Sequence, residues 1–346
     1  MPHEIVTSDG SSFRFREYEP PPLGERDVRV RVTFAAPKHG TEVHAITGSV
    51  FARKRWDPEL RLFLPRAADD PEPPAERPVG NRVVGEVIAV GREVARFAVG
   101  DRVYGYGPIR EVHQQPEERW RPLAGLTETQ AVCTDPAHVA LVAVRDGTIR
   151  VGDVVAVFGL GAIGLLAAQI ARVSGARSVF AVDPLPLRRE VALAHGADAA
   201  FDPAEEDVGL AIKRATAGAG ADIAIETSGS GAALHEAIRC LRPCGIVVHV
   251  PWGPKEARDL HLDEEFHLNR ITIVGSQAVW GNPDRDHPRW TEARARATVA
   301  DLFRSGAITA DGIVTPIVPF AEALAALVEV FQRPAGVIKL GVRVAP

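Results

Sequence analysis

The 346-residue sequence has little cysteine, with only Cys133, Cys240 and Cys244. Three cysteines cannot staple a chain of this length, and their scarcity is typical of a protein from a reducing compartment. The sequence also lacks the run of about 18 apolar residues that a membrane-spanning helix needs. Residues 1–14 show no basic-then-apolar signal pattern. We therefore expect a cytoplasmic protein that has no membrane partner.

An excess of charge of one sign is missing too, because 40 basic residues stand against 45 acidic ones and leave a formal net charge of -5. Neither end of the chain carries a basic block, so a nucleic-acid partner is not expected. Hydrophobic residues make up 46% and charged residues 25% of the chain. These shares are ordinary for a globular protein and exclude a disordered or fibrous one. At roughly 150 residues per domain, the length favours two domains.

Residues 1–135 are rich in predicted strands. Valine alternates with arginine over residues 28–32, and residues 83–90 form another β-branched run. Proline-dense stretches at residues 20–22 and 65–78 interrupt this region, because proline does not fit inside a strand or helix. This pattern predicts a β-rich domain of short strands and loops, to which residues 278–346 return.

From about Gly152 onward, apolar strands alternate with helical patterns. Residues 153–158 form a nearly continuous apolar run, which is typical of a parallel strand buried on both faces. Six strands with helices between them predict a doubly wound parallel sheet over residues 136–277. The fold class is therefore α/β.

The sequence Gly159-Leu160-Gly161-Ala162-Ile163-Gly164 is a G-x-G-x-x-G motif that follows a predicted strand and opens a predicted helix. The first glycine allows a tight turn, the second lets the backbone approach a pyrophosphate, and the third lets helix and strand pack closely. The next strand ends at Asp183, where a carboxylate would accept both ribose hydroxyls and repel a 2′-phosphate. These features predict NAD as the cofactor, although Arg188 and Arg189 leave NADP open.

This order of parts resembles the medium-chain dehydrogenase/reductase superfamily, in its zinc-dependent alcohol and polyol dehydrogenase branch. The resemblance spans nearly the whole chain and rests on Gly40-Thr41-Glu42-Val43-His44 with Ile46-Thr47-Gly48, Gly80 with Gly85-Glu86-Val87, Gly91 with Val99-Gly100-Asp101-Arg102-Val103, Asp135-Pro136, and Gly152-Asp153. It implies an NAD-dependent oxidoreductase built from a Rossmann domain and a β-rich, GroES-like catalytic domain. It also implies a homodimer or homotetramer, paired through the strand at residues 271–274.

The resemblance places further cofactor contacts along the Rossmann domain. It puts Arg188 near the adenosine ribose and Thr227 and Ser228 along the adenine pocket. The remaining contacts that it implies are Val250 and Pro251, at the nicotinamide carboxamide, and Ser276 and Gln277, at the domain junction.

The zinc-binding positions of this branch carry other residues here. His39 replaces a cysteine, Asn81-Arg82 replaces a His-Glu pair, and Asp135 replaces a glutamate or cysteine. A guanidinium beside the metal would oppose its charge. The four cysteines of the branch's structural zinc lobe are missing as well. We therefore predict that the protein binds no metal.

Catalysis without zinc would fall to the polar residues around these positions. By resemblance, Thr41 and His44 match a proton relay, and His39 is placed to act as a base or as a donor to an oxyanion. Thr41 and His44 can also be read as turn and helix-cap residues. We expect Lys38, His39, Arg82 and Asp135 to form a charged cluster. Arg82 then either pairs with Asp135, because unpaired buried charge is costly, or joins Lys38 in polarising a substrate carbonyl.

Together these features predict an NAD(H)-dependent oxidoreductase that interconverts a secondary alcohol and a ketone on a polar substrate, such as a polyol, sugar or hydroxy acid. Two alternatives stay open. One is a zinc-independent reductase of enones or quinones, which needs no proton relay. The other is a pseudoenzyme that binds dinucleotide and acts as a sensor.

Overall fold

The chain divides into two compact units. In the computed structural model, which describes residues 1–38, 40, 42, 50–67, 75–252, 260–278, 282–332 and 334–344, the first unit comprises Met1–Val132, Trp252–Pro254 and Thr315–Pro346. The second unit comprises Cys133–Pro251 and Lys255–Val314.

The strands in chain order are β1 (His3–Thr7), β2 (Arg14–Glu17), β3 (Asp27–Ala36), β4 (Lys54–Asp57), β5 (Leu62–Pro65), β6 (Arg77–Pro78), β7 (Arg82–Val90), β8 (Arg102–Tyr106), β9 (Val112–Pro116), β10 (Trp120–Pro122), β11 (Val154–Phe158), β12 (Ser178–Val182), β13 (Ala199–Phe201), β14 (Ala221–Glu226), β15 (Leu241–His249), β16 (Thr272–Gly275), β17 (Val314–Pro319) and β18 (Lys339–Arg343). The helices are α1 (Val50–Arg53), α2 (Glu128–Asp146), α3 (Ala162–Val173), α4 (Pro186–Ala194), α5 (Val208–Ala215), α6 (Gly231–Arg239), α7 (Glu292–Arg304) and α8 (Ala323–Gln332). A short helical segment, kinked at Glu264, covers Leu262–Phe266, and 3₁₀ turns cover Glu117–Arg119, Phe320–Glu322 and Pro334–Gly336.

The first unit is built on a mostly antiparallel sheet in the order β10-β8-β7-β3-β18-β17, with β9 also paired to β3. The alternation at residues 28–32 works as predicted, since Val28, Val30 and Val32 are fully buried and belong to the core of this unit. Trp120 and helix α8 pack into the same core. A three-stranded sheet, β2-β1-β6, and the β4-β5 pair complete the unit.

The second unit contains a six-stranded sheet in the order β13-β12-β11-β14-β15-β16, and all of its strand pairs are parallel. All five residues of β11 are buried, as expected of a central strand covered on both faces. Helix α3 packs against α4, and α5 packs against α6. The doubly wound sheet that the sequence predicts is confirmed, and its strand order reverses between β11 and β14.

Helix α2 differs from the sequence-based expectation, which assigned residues up to 135 to strands and loops. The helix runs for 19 residues with Pro136 in its interior. Proline removes one helical hydrogen bond and normally ends a helix. Pro136 therefore argued against a helix in the sequence. Tertiary burial compensates, because residues on both sides of Pro136, including Val132 and Ala140, are completely buried. None of the described helices is long and apolar enough to cross a membrane.

Residues 278–314 also differ from the expectation, which returned them to the β-rich domain. They lie in the second unit. Helix α7 within this segment buries Val299 and Phe303. The backbone N–H of Thr309 donates to Oε1 of Gln169 at 2.8 Å, and Nε2 of Gln169 donates back to the Thr309 carbonyl at 3.2 Å. These bonds tie the segment to helix α3.

His113 makes the first unit sensitive to acid. Its ring is 2% exposed, and its Nε2 lies 2.8 Å from the Pro108 carbonyl oxygen. Burial, together with the nearby charge of Arg110, lowers the pKa of His113 to about 3. An unfolded histidine has a pKa of about 6.5, so below that pH the unfolded chain binds a proton that the folded chain does not. The free energy of unfolding then falls by up to about 1.4 kcal/mol per pH unit between about pH 6.5 and pH 3.

We expect His113→Gln to flatten this dependence, because glutamine does not titrate. The measurement is urea unfolding of the full-length protein from pH 7 down to pH 4.5. It compares wild type and His113→Gln with the control His267→Gln, which changes an exposed histidine. The wild type and His267→Gln should lose stability more steeply than His113→Gln. Equal slopes in all three proteins would contradict the role given to His113.

Candidate functional site

The three glycines of the motif differ in their surroundings. Gly159 follows β11 with φ +84°, and a Cβ there would lie 2.6 Å from the backbone N of Ser228. A Cβ at Gly164 would overlap the carbonyl oxygen of Gly159. At Gly161 the φ is -68°, and no described atom lies within 4 Å of an ideal Cβ. The fold therefore requires glycine at 159 and 164, whereas a Cβ at Gly161 would enter open space.

The N-terminus of α3 faces this turn without a side-chain cap. Gly161 is the N-cap residue and makes no side-chain bond to the helix, and Ala162 and Ile163 are the first two helical residues. The free N–H groups of a first helical turn, with the partial positive charge of the helix end, form an anion site. The pyrophosphate site predicted from the sequence has this geometry.

Asp183 sits at the end of the neighbouring strand β12 and is 3% exposed. Its Oδ2 accepts from the N–H of Leu160 at 2.7 Å, and its Oδ1 accepts from the N–H of Leu185 at 2.9 Å. Nη1 of Arg188 lies 3.4 Å from Oδ2. The carboxylate is thus fixed beside the glycine turn, where a ribose would meet it.

Arg189, the other arginine that left NADP open, is also engaged within the unit. Its Nη1 donates to the backbone carbonyl of Asp183 at 2.7 Å and lies 2.8 Å from the carboxylate of Asp202. Both arginines therefore have oxygen partners in this unit, which weakens the case for a 2′-phosphate site.

Thr227 and Ser228 follow β14, on the other side of the point where the strand order reverses. The Thr227 hydroxyl donates to the Gly159 carbonyl at 2.6 Å, and its N–H donates to the Phe158 carbonyl at 2.8 Å. Thr227 thus connects the carboxyl ends of β11 and β14. The structure places both residues at the glycine turn.

A buried carboxylate that the sequence analysis missed organises this loop. Oε1 of Glu226, a residue with 0% exposure, accepts from the N–H and hydroxyl of Ser228 at 2.6 Å each and from the N–H of Gly229 at 2.8 Å. Its Oε2 lies 2.9 Å from Nδ1 of His249, the partner of Glu226 in the β14-β15 register. The sequence did offer one sign of this pair, since Glu226 and His249 each stand at the end of an apolar predicted strand.

The carboxyl ends of β14, β15 and β16 are joined by backbone bonds at the other predicted cofactor residues. Val250 N–H donates to the Glu226 carbonyl at 3.0 Å, and Ser276 N–H donates to the His249 carbonyl at 2.9 Å. Pro251 follows Val250 as the last residue of this stretch in the second unit.

Gln277 lines a polar cavity of about 330 Å³ in the second unit. Its polar walls also include His138, Asp146, Asn282, Arg285 and Glu292. Burial raises the pKa of Asp146, against the opposing effects of the Ser276 hydroxyl and the Arg285 guanidinium. Arg285 Nε lies 2.9 Å from the Asp146 carboxylate.

Of the predicted catalytic residues, His39, Thr41 and His44 lie outside the described residues. Lys38 and Arg82 belong to the first unit and Asp135 to the second. Asp135 is 1% exposed and lies in α2, directly before Pro136. The four-residue charged cluster of Lys38, His39, Arg82 and Asp135 therefore stays a prediction.

Arg82 begins β7 and is 5% exposed. Its guanidinium carbon lies 3.6 Å from the ring centroid of Tyr106 and 5.8 Å from that of Tyr104. Its Nε is buried and has no hydrogen-bond partner among the described residues. A guanidinium has five donors and no acceptor, so this side chain cannot ligate a metal but can bind an anion or a polarised oxygen.

Glu42 and Lys339 were missed by the sequence analysis and lie beside Lys38. Glu42 Oε1 accepts from the backbone N–H of Lys38 at 2.9 Å. Burial raises the pKa of Glu42, although the bond from the Lys38 backbone and the charge of Lys339 oppose this. Lys339 is 3% exposed and donates to the Pro37 carbonyl at 2.7 Å. These two residues are about 300 positions apart in the sequence, so no local pattern pairs them.

Comparison with known proteins gives this geometry a family. The family model described as zinc-binding dehydrogenase matches residues 162–293. D-guloside 3-dehydrogenase of Escherichia coli (strain K12) is 40% identical over 334 residues, which cover 94% of this chain and 95% of that protein. This chain belongs to the medium-chain dehydrogenase/reductase superfamily. It is an oxidoreductase of the alcohol dehydrogenase-like type with a nicotinamide dinucleotide as cofactor, so the enzyme prediction is confirmed.

Solved structures share the fold over the full length. The crystal structure of 2R,3R-butanediol dehydrogenase from Bacillus subtilis has a TM-score of 0.77 at 24% identity and covers 100% of both chains. A zinc-binding dehydrogenase of Sinorhizobium meliloti 1021, solved with NADP bound, has a TM-score of 0.75 at 22% identity and covers 99% of both chains. The prediction of a Rossmann sheet joined to a β-rich domain is confirmed.

The glycine geometry separates binding from folding. We expect Gly161→Ala to leave the melting temperature within about 1 °C of wild type but to weaken NADH binding by about tenfold or more, since its methyl group enters the space reserved for the pyrophosphate. We expect Gly164→Ala to lower the melting temperature as well, because its Cβ meets the Gly159 carbonyl. NADH fluorescence titration and thermal unfolding measure the two effects. Equal destabilisation by both variants would refute the separate roles.

Proposed function

We propose that this protein is an NAD(H)-dependent dehydrogenase that oxidises a secondary hydroxyl of a sugar or glycoside to a ketone without a catalytic zinc. The observation that carries the proposal is the 40% identity, over 94% of the chain, to a D-guloside 3-dehydrogenase, whose name specifies one ring position of a glycoside. The side chains of the predicted charged cluster are all polar or charged, which suits a polar substrate. Separate features support the choice of NAD, catalysis without zinc and a sugar substrate.

Asp183 supports NAD over NADP. Its carboxylate is buried and held by two backbone N–H groups, so it cannot turn away from the ribose. A 2′-phosphate placed there would bring a second negative charge within a few ångströms of it. Arg188 and Arg189 do not offset this repulsion, because their guanidinium groups already contact oxygens of Asp183 and Asp202.

Arg82 supports catalysis without zinc. Of the residues at the family's metal-ligand positions, Asn81 carries a neutral amide and Arg82 a permanent positive charge, and neither is a zinc ligand of the kind that dehydrogenases use. Only His39 and Asp135 keep ligating side chains, and two ligands do not hold a catalytic zinc. The donor set therefore does not fit the metal, and no step is assigned to it.

Oxidation of the alcohol requires that the hydroxyl lose its proton as hydride leaves the carbinol carbon. When bound, NAD supplies the hydride acceptor. The imidazole of His39 takes the proton, since a neutral histidine with a pKa near 6.5 is an effective base around neutral pH, and Thr41 and His44 pass it to solvent. Arg82 and Lys38 stabilise the negative charge that develops on the oxygen, which is the contribution that zinc makes in other members of the branch.

Aromatic side chains of the first unit support a sugar ring as substrate. The Phe51 ring lies 5.8 Å from Trp252 and 5.4 Å from Phe63, and Phe63 lies 5.1 Å from Trp56, measured between ring centroids. All four are partly exposed. Aromatic faces carry partial negative charge, and they attract the C–H face of a pyranose, so this group suits a sugar better than a small alcohol.

The edge strand β16 supports a homodimer. It pairs only with β15 among the described strands, and its Ile273 is 37% exposed. An edge strand with exposed apolar side chains is a ready surface for strand pairing, and the pairing of two copies about a two-fold axis would cover it.

The assay that tests the proposed function is NADH formation by chelator-dialysed protein over a panel of glycosides, free sugars, polyols, hydroxy acids and simple secondary alcohols. We expect turnover on glycosides or sugars, a preference for NAD over NADP of at least about tenfold, and no gain on adding Zn²⁺. Loss of activity on chelation without a change in melting temperature, reversed by Zn²⁺, would refute the zinc-free mechanism. Turnover on enones or quinones alone would favour the reductase alternative.

Arg82 has an expected catalytic effect of its own. Loss of one oxyanion-stabilising donor typically lowers kcat by about 10²–10³-fold, and we expect this from Arg82→Met and a smaller loss from Arg82→Lys, which keeps the charge. His39→Ala should also lower kcat. The control is Arg102→Met on the adjacent strand β8, an exposed arginine paired with Glu128. Full activity in both Arg82→Met and His39→Ala would show that these residues only fill the former metal position.

A further inference from the structure

A group of side chains of metal-ligating type lies on helix α6 and on the segment Leu262–Phe266, which is kinked at Glu264. His235 on α6 and Glu264 and Glu265 on the segment each bring one ligand atom to within 4.8 Å of those of the other two. Nε2 of His235 is 3.6 Å from Oε2 of Glu264. Donor atoms around one zinc ion at about 2.0–2.2 Å are roughly 3.4 Å apart, so this spacing is close to that of a shared metal. A second imidazole, His261, has its ring centroid 5.2 Å from that of His235.

The group is held by the fold rather than by chance surface proximity. The segment packs against α6, and Phe266 at its end packs against the core of the second unit. The His235 side chain is 15% exposed and that of Glu265 is 36% exposed, whereas that of Glu264 is 53% exposed. Ordering His235 and Glu265 for a metal therefore costs less entropy than it would on a free surface.

The local charge favours a cation. Arg239 is the nearby positive charge, and its Nη2 and Nη1 are already engaged by Asp207 at 2.9 Å and Glu236 at 2.6 Å. Its Nε lies 3.7 Å from Glu265, which is a long contact. Glu264 and Glu265 thus add negative charge that Arg239 does not balance.

One ligand atom of this group has unmet bonding capacity. Oε2 of Glu265 is buried from solvent and has no hydrogen-bond partner among the described residues. Buried polar atoms without partners are rare and costly in native proteins. A metal ion that shares this carboxylate with Nε2 of His235 would meet this need.

We propose that His235, Glu264 and Glu265 bind one divalent transition-metal ion, Zn²⁺ being the best match to mixed imidazole and carboxylate ligands. The ion ties helix α6 to the segment that leads into β16 and acts as a structural centre. The site is built from other residues than those of the proposed catalytic site, so it does not depend on the proposed function.

The test is calorimetric titration of chelator-dialysed protein with Zn²⁺. We expect His235→Gln and the double variant Glu264→Gln/Glu265→Gln each to bind one equivalent fewer than wild type. The comparison counts a difference, so zinc bound elsewhere in the chain does not affect it. His267→Gln, which changes an exposed histidine just after the segment, is the matched control and should bind as wild type does.

Thermal unfolding is the second measurement. Because a ligand of the folded state stabilises it by mass action, Zn²⁺ should raise the melting temperature of wild type and His267→Gln more than that of the site variants. The conservative glutamine substitutions keep the size and polarity of the glutamates. Equal Zn²⁺ stoichiometry in wild type and in folded His235→Gln, or no Zn²⁺ binding by wild type, would overturn the proposal.

Discussion

The second unit depends on one constraint: at the carboxyl ends of β11 and β14, backbone segments lie so close together that no side chain fits between them. A side chain at Gly159 would collide with Ser228, and one at Gly164 would collide with Gly159 itself. The Thr227 hydroxyl then bonds the carbonyl around which this turn folds. The strand order reverses here, which is the position where open α/β sheets bind their ligands.

Buried charges at this end of the sheet are stabilised by backbone. Asp183 accepts two N–H groups, and Glu226 accepts two N–H groups and a hydroxyl from a single loop. Arg82 in the first unit is different, since the rings of Tyr104 and Tyr106 face its guanidinium while its Nε stays without a bond among the described residues. Aromatic faces offset only part of the cost of burying a cation.

Sequence reasoning succeeded where the cause of a structure is local. The parallel sheet follows from short apolar runs, and the glycine turn and Asp183 follow from fixed spacings within one βαβ unit. It failed at α2, where Pro136 masks a helix that burial maintains, and at residues 278–314, which bonds between Gln169 and Thr309 hold in the second unit. It also missed Glu226 with His249 and Glu42 with Lys339. Glu226 meets His249 only through the β14-β15 register, and Glu42 meets Lys339 only after segments about 300 positions apart become neighbours.

The sequence by itself determined the fold class and the family, because periodicity and motif spacing are properties of consecutive residues. Tertiary structure decided which glycines serve packing, Gly159 and Gly164, and which faces open space, Gly161, since all three look alike in the motif. It also decided that Arg82 lies over tyrosine rings and that His235 meets two glutamates from a separate segment. Such contacts depend on which surfaces burial brings together, and no spacing along the chain encodes them.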